Sequence, residues 1–169
     1  MKRLIETQRT RIRDQLSWIR VSDPDCVLAK RRVWINEEAS TKTVSIHDEN
    51  DTLFIRYNRN FVQKLSGKDI YHVLIHEAEH IKRCHSDRCG HIVELLSKEE
   101  IVRMFNIGAD LEINQEIKCL GNAVQVGKGT YDKYQAGLTA EQYFVCVLHD
   151  RIEHEKVKES LKCARKPSK

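Results

Sequence analysis

The run His76-Glu77-Ala78-Glu79-His80 sets two imidazoles four residues apart, with a carboxylate next to the first. On a helix, positions i and i+4 share a face one turn apart. Both rings can then reach one Zn²⁺ at about 2.0–2.1 Å. Glu77 falls to the side of such a metal, where it can take a proton from metal-bound water without being a ligand. The run sits among Ile70, Val73, Leu74, Ile75 and Ile81. In apolar surroundings two histidines and a glutamate are costly unless a partner such as a metal engages them. The chemistry this spacing predicts is metal-assisted hydrolysis of a peptide bond, with Glu77 as general base.

A catalytic zinc takes three protein ligands and keeps one position open. The candidates for the third are Asp110, Glu112, Asn106, His85 and His91. Asn106, Asp110 and Asn114 are spaced by four and share one polar stripe on an otherwise apolar helix, with the small Gly108 and Ala109 letting another helix come close. Turned toward His76 and His80, that stripe would put the Asp110 carboxylate on the metal, with Asn106 and Asn114 orienting the ligands. Glu112 lies roughly 200° around from Asp110 and should face elsewhere. His85, nine residues after His76, falls on the opposite side of a continuous helix, and Ile81-Lys82-Arg83-Cys84 contains no breaker. His85 reaches the metal only if the helix breaks; otherwise it donates to a transition-state oxyanion or braces the helix end. Tyr131 and Tyr134 are the other candidate oxyanion donors. Cys84, His85, Cys89 and His91 crowd together and are the candidates for a separate structural zinc.

The elements that must position these residues follow from periodicity. Residues 3–20 read as an amphipathic helix with Ile5, Ile12, Leu16 and Ile19 on one side. Residues 32–36, 43–47 and 52–57 alternate and are β-branched, predicting a small antiparallel meander, because the connections are too short for parallel crossovers. From about Lys68 the period becomes helical, and so apolar a helix should be buried in the centre. Residues 84–91 read as irregular, with Gly90 as breaker. Ser97 and Glu100 have the form of a capping box opening a helix to about Lys118, with Gly121 as its C-cap. A glycine-rich stretch, 121–137, reads as a long loop, and Thr139 caps a last helix to about Cys163.

The whole is an α+β arrangement with the meander packed on the active-site helix. We expect one domain over 1–169, with its core in 30–150 and a frayed tail at 164–169. A chain of 169 residues, 40% apolar and 32% charged, suits a single core. No stretch approaches the ~18 apolar residues of a membrane span, and the basic N-terminus lacks the apolar core of a signal peptide. A cytoplasmic protein with its six cysteines reduced is the expectation. The net charge of +4 comes from basic clusters at both ends. Without interleaved aromatics these point to solvated faces rather than to nucleic acid. A regulatory protein partner stays open, as does an alternative role as a non-catalytic zinc-containing binding or regulatory module, of the kind a mobile element carries.

Three motifs together resemble a known group: His76-Glu77-x-x-His80-x-x-x-x-His85, then Asn106-x-x-x-Asp110-x-x-x-Asn114, then Gly137-Leu138-Thr139-Ala140-Glu141-Gln142-Tyr143. They look like the bacterial metallopeptidase domain often found ahead of a von Willebrand A-like domain, over roughly residues 50–150. Gly108 stands where that family usually has Ala, and no von Willebrand A-like domain follows in this chain. The resemblance implies a zincin-type fold and peptide hydrolysis, and supplies no substrate.

Overall fold

The computed structural model describes residues 2–96, 99–117, 131 and 133–164, with the backbone alone for 2–6, 93–96 and 157–164. The expected Ser97 capping box, the Gly121 cap and most of the glycine-rich loop lie outside the described residues. The fold is α+β. It divides into two compact units, one running to Ser86 and including Ile117, the other holding Asp87–Glu116 and the described residues from Tyr131 on. Among the described residues no helix is long and apolar enough to cross a membrane.

In the first unit, α1 (Lys2–Ser22) buries Ile12, Leu16 and Ile19 at the i, i+4, i+7 spacing of one helical stripe. The Arg11 guanidinium crosses from α1 to donate to the Val62 carbonyl at 3.0 Å and to the Leu65 carbonyl. A single turn, α2 (Val27–Lys30), leads into β1 (Arg32–Glu37), β2 (Val44–Glu49) and β3 (Thr52–Tyr57). β2 and β3 form a hairpin whose turn, Asn50-Asp51, has φ of 49° and 59°. Two consecutive left-handed residues are what a two-residue type I′ connection needs.

The sheet is mixed, not an antiparallel meander. Its order is β1-β3-β2, with β3 parallel to β1 and antiparallel to β2. The connection-length argument holds only for strands that are neighbours in both chain and sheet. Here β1 and β2 take the two edges, β2 itself serves as the return, and β3 fills the gap. Ile35, Ile55 and Ile46 stand in register on the covered face, while the opposite face carries Trp34, 57% exposed.

After α3 (Arg59–Lys64), capped by Asn58, the helix α4 (Gly67–Lys82) opens with a capping box in which the Ser66 hydroxyl and the Asp69 carboxylate each take the other's backbone N–H. Only one stripe of α4 is buried: Ile70, Leu74 and Ala78 face the core shared with α1 and the sheet. The rest of the helix from Tyr71 to Ile81 is half-buried and none of it is exposed, in keeping with the expectation of a buried helix. Val73 and Ile75, off that stripe, are half-buried.

The second unit contains α6 (Glu99–Asn114) and α7 (Ala140–Ala164), with α5 (His85–Leu96) entering it from Asp87. α5 corrects the expectation of irregular chain at 84–91. Gly90 is exposed inside the helix, where a glycine costs about 1 kcal/mol against Ala but does not break it. Thr139 caps α7 as expected, its N–H donating to Gln142 Oε1 and its hydroxyl accepting the Gln142 N–H. α6 and α7 meet at Gly108, where a Cβ would lie 2.5 Å from the Ala140 carbonyl oxygen and 2.9 Å from the Phe144 nitrogen. Phe105, Ala109, Phe144 and Val147 close the core on either side. The Arg88 guanidinium of α5 grips both helices, with two 2.6 Å hydrogen bonds to Glu141 and one of 3.2 Å to Glu112. Glu112 also accepts the Ala140 N–H, placing a carboxylate at the positive end of α7.

Two expectations follow. Gly108→Ala should lower stability in denaturant titration by about 1–3 kcal/mol through overpacking, while Gly90→Ala, with open space at its Cβ, should raise it by about 0.5–1 kcal/mol. Arg88 pulls the Glu141 carboxyl down to about 2 from its usual 4.5. A carboxyl depressed in the folded state contributes stability that is present above pH ~4.5 and lost as pH falls toward 2. Acid unfolding followed in Glu141→Gln should therefore be flatter over that window than in the parent.

Candidate metal centre

The stripe that buries α4 in its own core also decides where its polar residues point. His76 and His80 fall roughly 120–160° around the helix from the buried Leu74. Their rings stand one turn apart, centroids 4.9 Å and planes at 67°, with the two Nε2 atoms 3.1 Å from each other. Two nitrogens at that separation can both lie about 2.0–2.1 Å from one ion. Glu77, half-buried, follows His76 by about 100° of helix rotation.

The sequence predicts a continuous helix past His80, and the chain instead breaks. Arg83 closes α4, its N–H donating to the Glu79 carbonyl, and Cys84 adopts a left-handed φ of 52°. For a residue with a Cβ that conformation costs about 1–2 kcal/mol. The helix α5 then starts at His85, which is 4% exposed and lies with Nδ1 3.0 Å from Nδ1 of His80. Glu79 steadies the turn through Lys82 at 3.0 Å and Arg83 at 3.1 Å. Burial works to raise the Glu79 carboxyl, but these two cations outweigh it and hold it below the usual carboxylate range.

The ring of His80 thus has a histidine at each nitrogen. A neutral imidazole carries one N–H. If an ion takes the Nε2 lone pair, the proton must sit on Nδ1, which then donates to His85. That is the usual arrangement of a metal-bound histidine, whose second nitrogen is held by an outer hydrogen bond that fixes tautomer and ring plane.

The other sequence candidates separate clearly. Asp110, on α6, is buried at 6% exposure. The expected stripe of Asn106, Asp110 and Asn114 is not uniform: Asn106 faces solvent, and Asn114 is half-buried with its Oδ1 enclosed. Glu112 is taken up by Arg88 and the start of α7, away from Asp110's side as expected. His91 is exposed on α5. Cys84 is exposed, and Cys89 packs as a small hydrophobe beside the second core, where burial pushes its thiol pKa up. The Tyr134 hydroxyl, a candidate oxyanion donor, donates to Asp150, and burial together with that carboxylate raises its pKa. The strand at residues 52–57 offers no free edge to an extended peptide, since β3 is the central strand and both its sides are already paired.

Among the described residues, His76, His80 and Asp110 form a group that could hold a metal ion, one ligand atom from each. Two imidazole nitrogens and a carboxylate oxygen are a donor set found at catalytic zinc. Sequence reasoning missed the helix break at Cys84 and the Arg88 hub. The only sign of the first was His85 itself, five residues from His80 and out of helical phase with it.

No curated protein and no solved structure matches the chain. One family model does, described as "Putative metallopeptidase domain", and it runs through both units, from residue 12 to residue 168. With helix-borne histidines and a carboxylate that could hold a metal, and with nearly the whole of its sequence matched, this chain belongs to that metallopeptidase family.

Proposed function

We propose that the chain is a zinc-dependent metallopeptidase in which His76, His80 and Asp110 hold the metal and Glu77 is the general base. The observation that carries this reading is the pair of Nε2 atoms 3.1 Å apart on one turn of α4. When bound, the zinc would supply Lewis acidity and a water with its pKa brought down to about 7.

The chain's own residues do the rest. Glu77, beside the histidines rather than among the ligands, accepts the water proton and delivers it to the leaving amine as the peptide bond breaks. His85 holds the His80 ring in the tautomer that leaves Nε2 free to ligate. An extended peptide would pair with the outer edge of β2, the edge strand that packs on α4. Family membership points to protein or peptide substrates.

Elemental analysis of purified protein should find about one zinc per chain, lost in His76→Ala. Equal zinc in parent and variant would sink the metal reading. Glu77→Gln should keep the zinc while lowering peptide hydrolysis by at least about 10²-fold; full activity would exclude Glu77 as the base. His85→Ala should weaken zinc binding by about 10–100-fold, with partial recovery in His85→Gln, whose side-chain oxygen can still accept from His80. Unchanged affinity in His85→Ala would show that its contact with His80 plays no part in holding the ion.

A further inference from the structure

The second unit contains a cavity of about 490 Å³ between α6 and α7, partly roofed by Tyr131. Ligand sites commonly span 300–1,000 Å³. Its floor is apolar: Met104 and Val147 are buried, and Ile107 lies beside them. Its rim is charged, and most of those charges are already matched. Lys133 pairs with Asp150 at 2.5 Å, and Arg151 with Glu100 at 3.0 Å. Arg103 differs. It lines the cavity, is exposed, and makes no ion pair among the described residues.

An apolar floor with one uncompensated guanidinium at its rim defines a ligand by complementarity. The floor takes hydrocarbon, and the guanidinium takes a carboxylate through paired N–H donors. We propose that this cavity binds an apolar side chain with a carboxylate beside it, as presented by a small free acid or by the C-terminus of a peptide. The place on the helix gives the site a meaning. Ile107 precedes Asp110 by three residues, about 4.5 Å along the α6 axis. Service as a peptide-substrate subsite rests on the peptidase reading. The binding itself does not, because it is read without turnover and without metal.

The test is a titration of the ¹⁵N-labelled full chain with N-acetyl-leucine, with N-acetyl-leucinamide and with acetyl-Ala-Ala-Leu bearing a free C-terminus. The account expects saturating amide shifts at Ile107, Val147 and Tyr131 with both carboxylates. The amide should bind about tenfold more weakly, and Arg103→Gln should abolish that difference. A tripeptide tighter than the free acid identifies a peptide C-terminus as the ligand; equal affinity identifies the small acid. Equal shifts from acid and amide, shifts elsewhere only, or an Arg103→Gln variant that still prefers the carboxylate would overturn the proposal. Zinc content measured on the same samples keeps the metal reading separate: it can stand while this one fails.

Discussion

The candidate metal centre depends on how one imidazole ring is constrained. His80 has two nitrogens, and a neutral ring has one proton to place between them. One nitrogen faces His76 and the other faces His85, at 3.1 and 3.0 Å. Once a cation takes the His76 side, the proton's position on the other side is determined, and so is the direction of the hydrogen bond to His85. Helix geometry supplies the first contact at no cost, because residues four apart meet on one face. The second comes from His85, which follows directly on the left-handed residue Cys84. Strain held in place by its surroundings recurs at functional positions, and here it is matched with a purpose visible in the contact it creates.

α6 is braced in a different way, by removal of a side chain and by charge. Gly108 lets the backbone of α7 approach to a distance no Cβ would permit. Arg88 then ties Glu112 and Glu141 across the same pair of helices. With Glu112 engaged in this way, α6 presents a different carboxylate, the buried Asp110, as the one suited to a metal. Two acids two residues apart thus have different surroundings, Glu112 bound to Arg88 and Asp110 buried, because the helix turns them to different sides.

Much of this was legible in the sequence. Periodicity located α1, α4 and the three strands to within a few residues, and the i, i+4 rule identified the paired histidines. The small residues at 108 and 109 announced a close helix contact, and Gly108 makes one. The failures share a cause: local pattern does not report tertiary pairing. Strand spacing could not show that β3 inserts between β1 and β2, because order in a sheet is set by which apolar faces meet. Gly90 read as a breaker because its cost is local, whereas the helix that contains it also holds Arg88 against two partners. The helix break at Cys84 has no glycine or proline to mark it, so the pattern points His85 away from the His80 ring that it touches.

The central claim is that a zinc ion is held by two helix-borne imidazoles and a carboxylate. The most direct measurement is X-ray absorption at the zinc edge on the metal-loaded protein. The account predicts a shell of nitrogen and oxygen only, at about 2.0–2.1 Å, with the outer-ring scattering of two imidazoles. Sulfur at about 2.3 Å, or a spectrum left unchanged by His76→Ala, would contradict it.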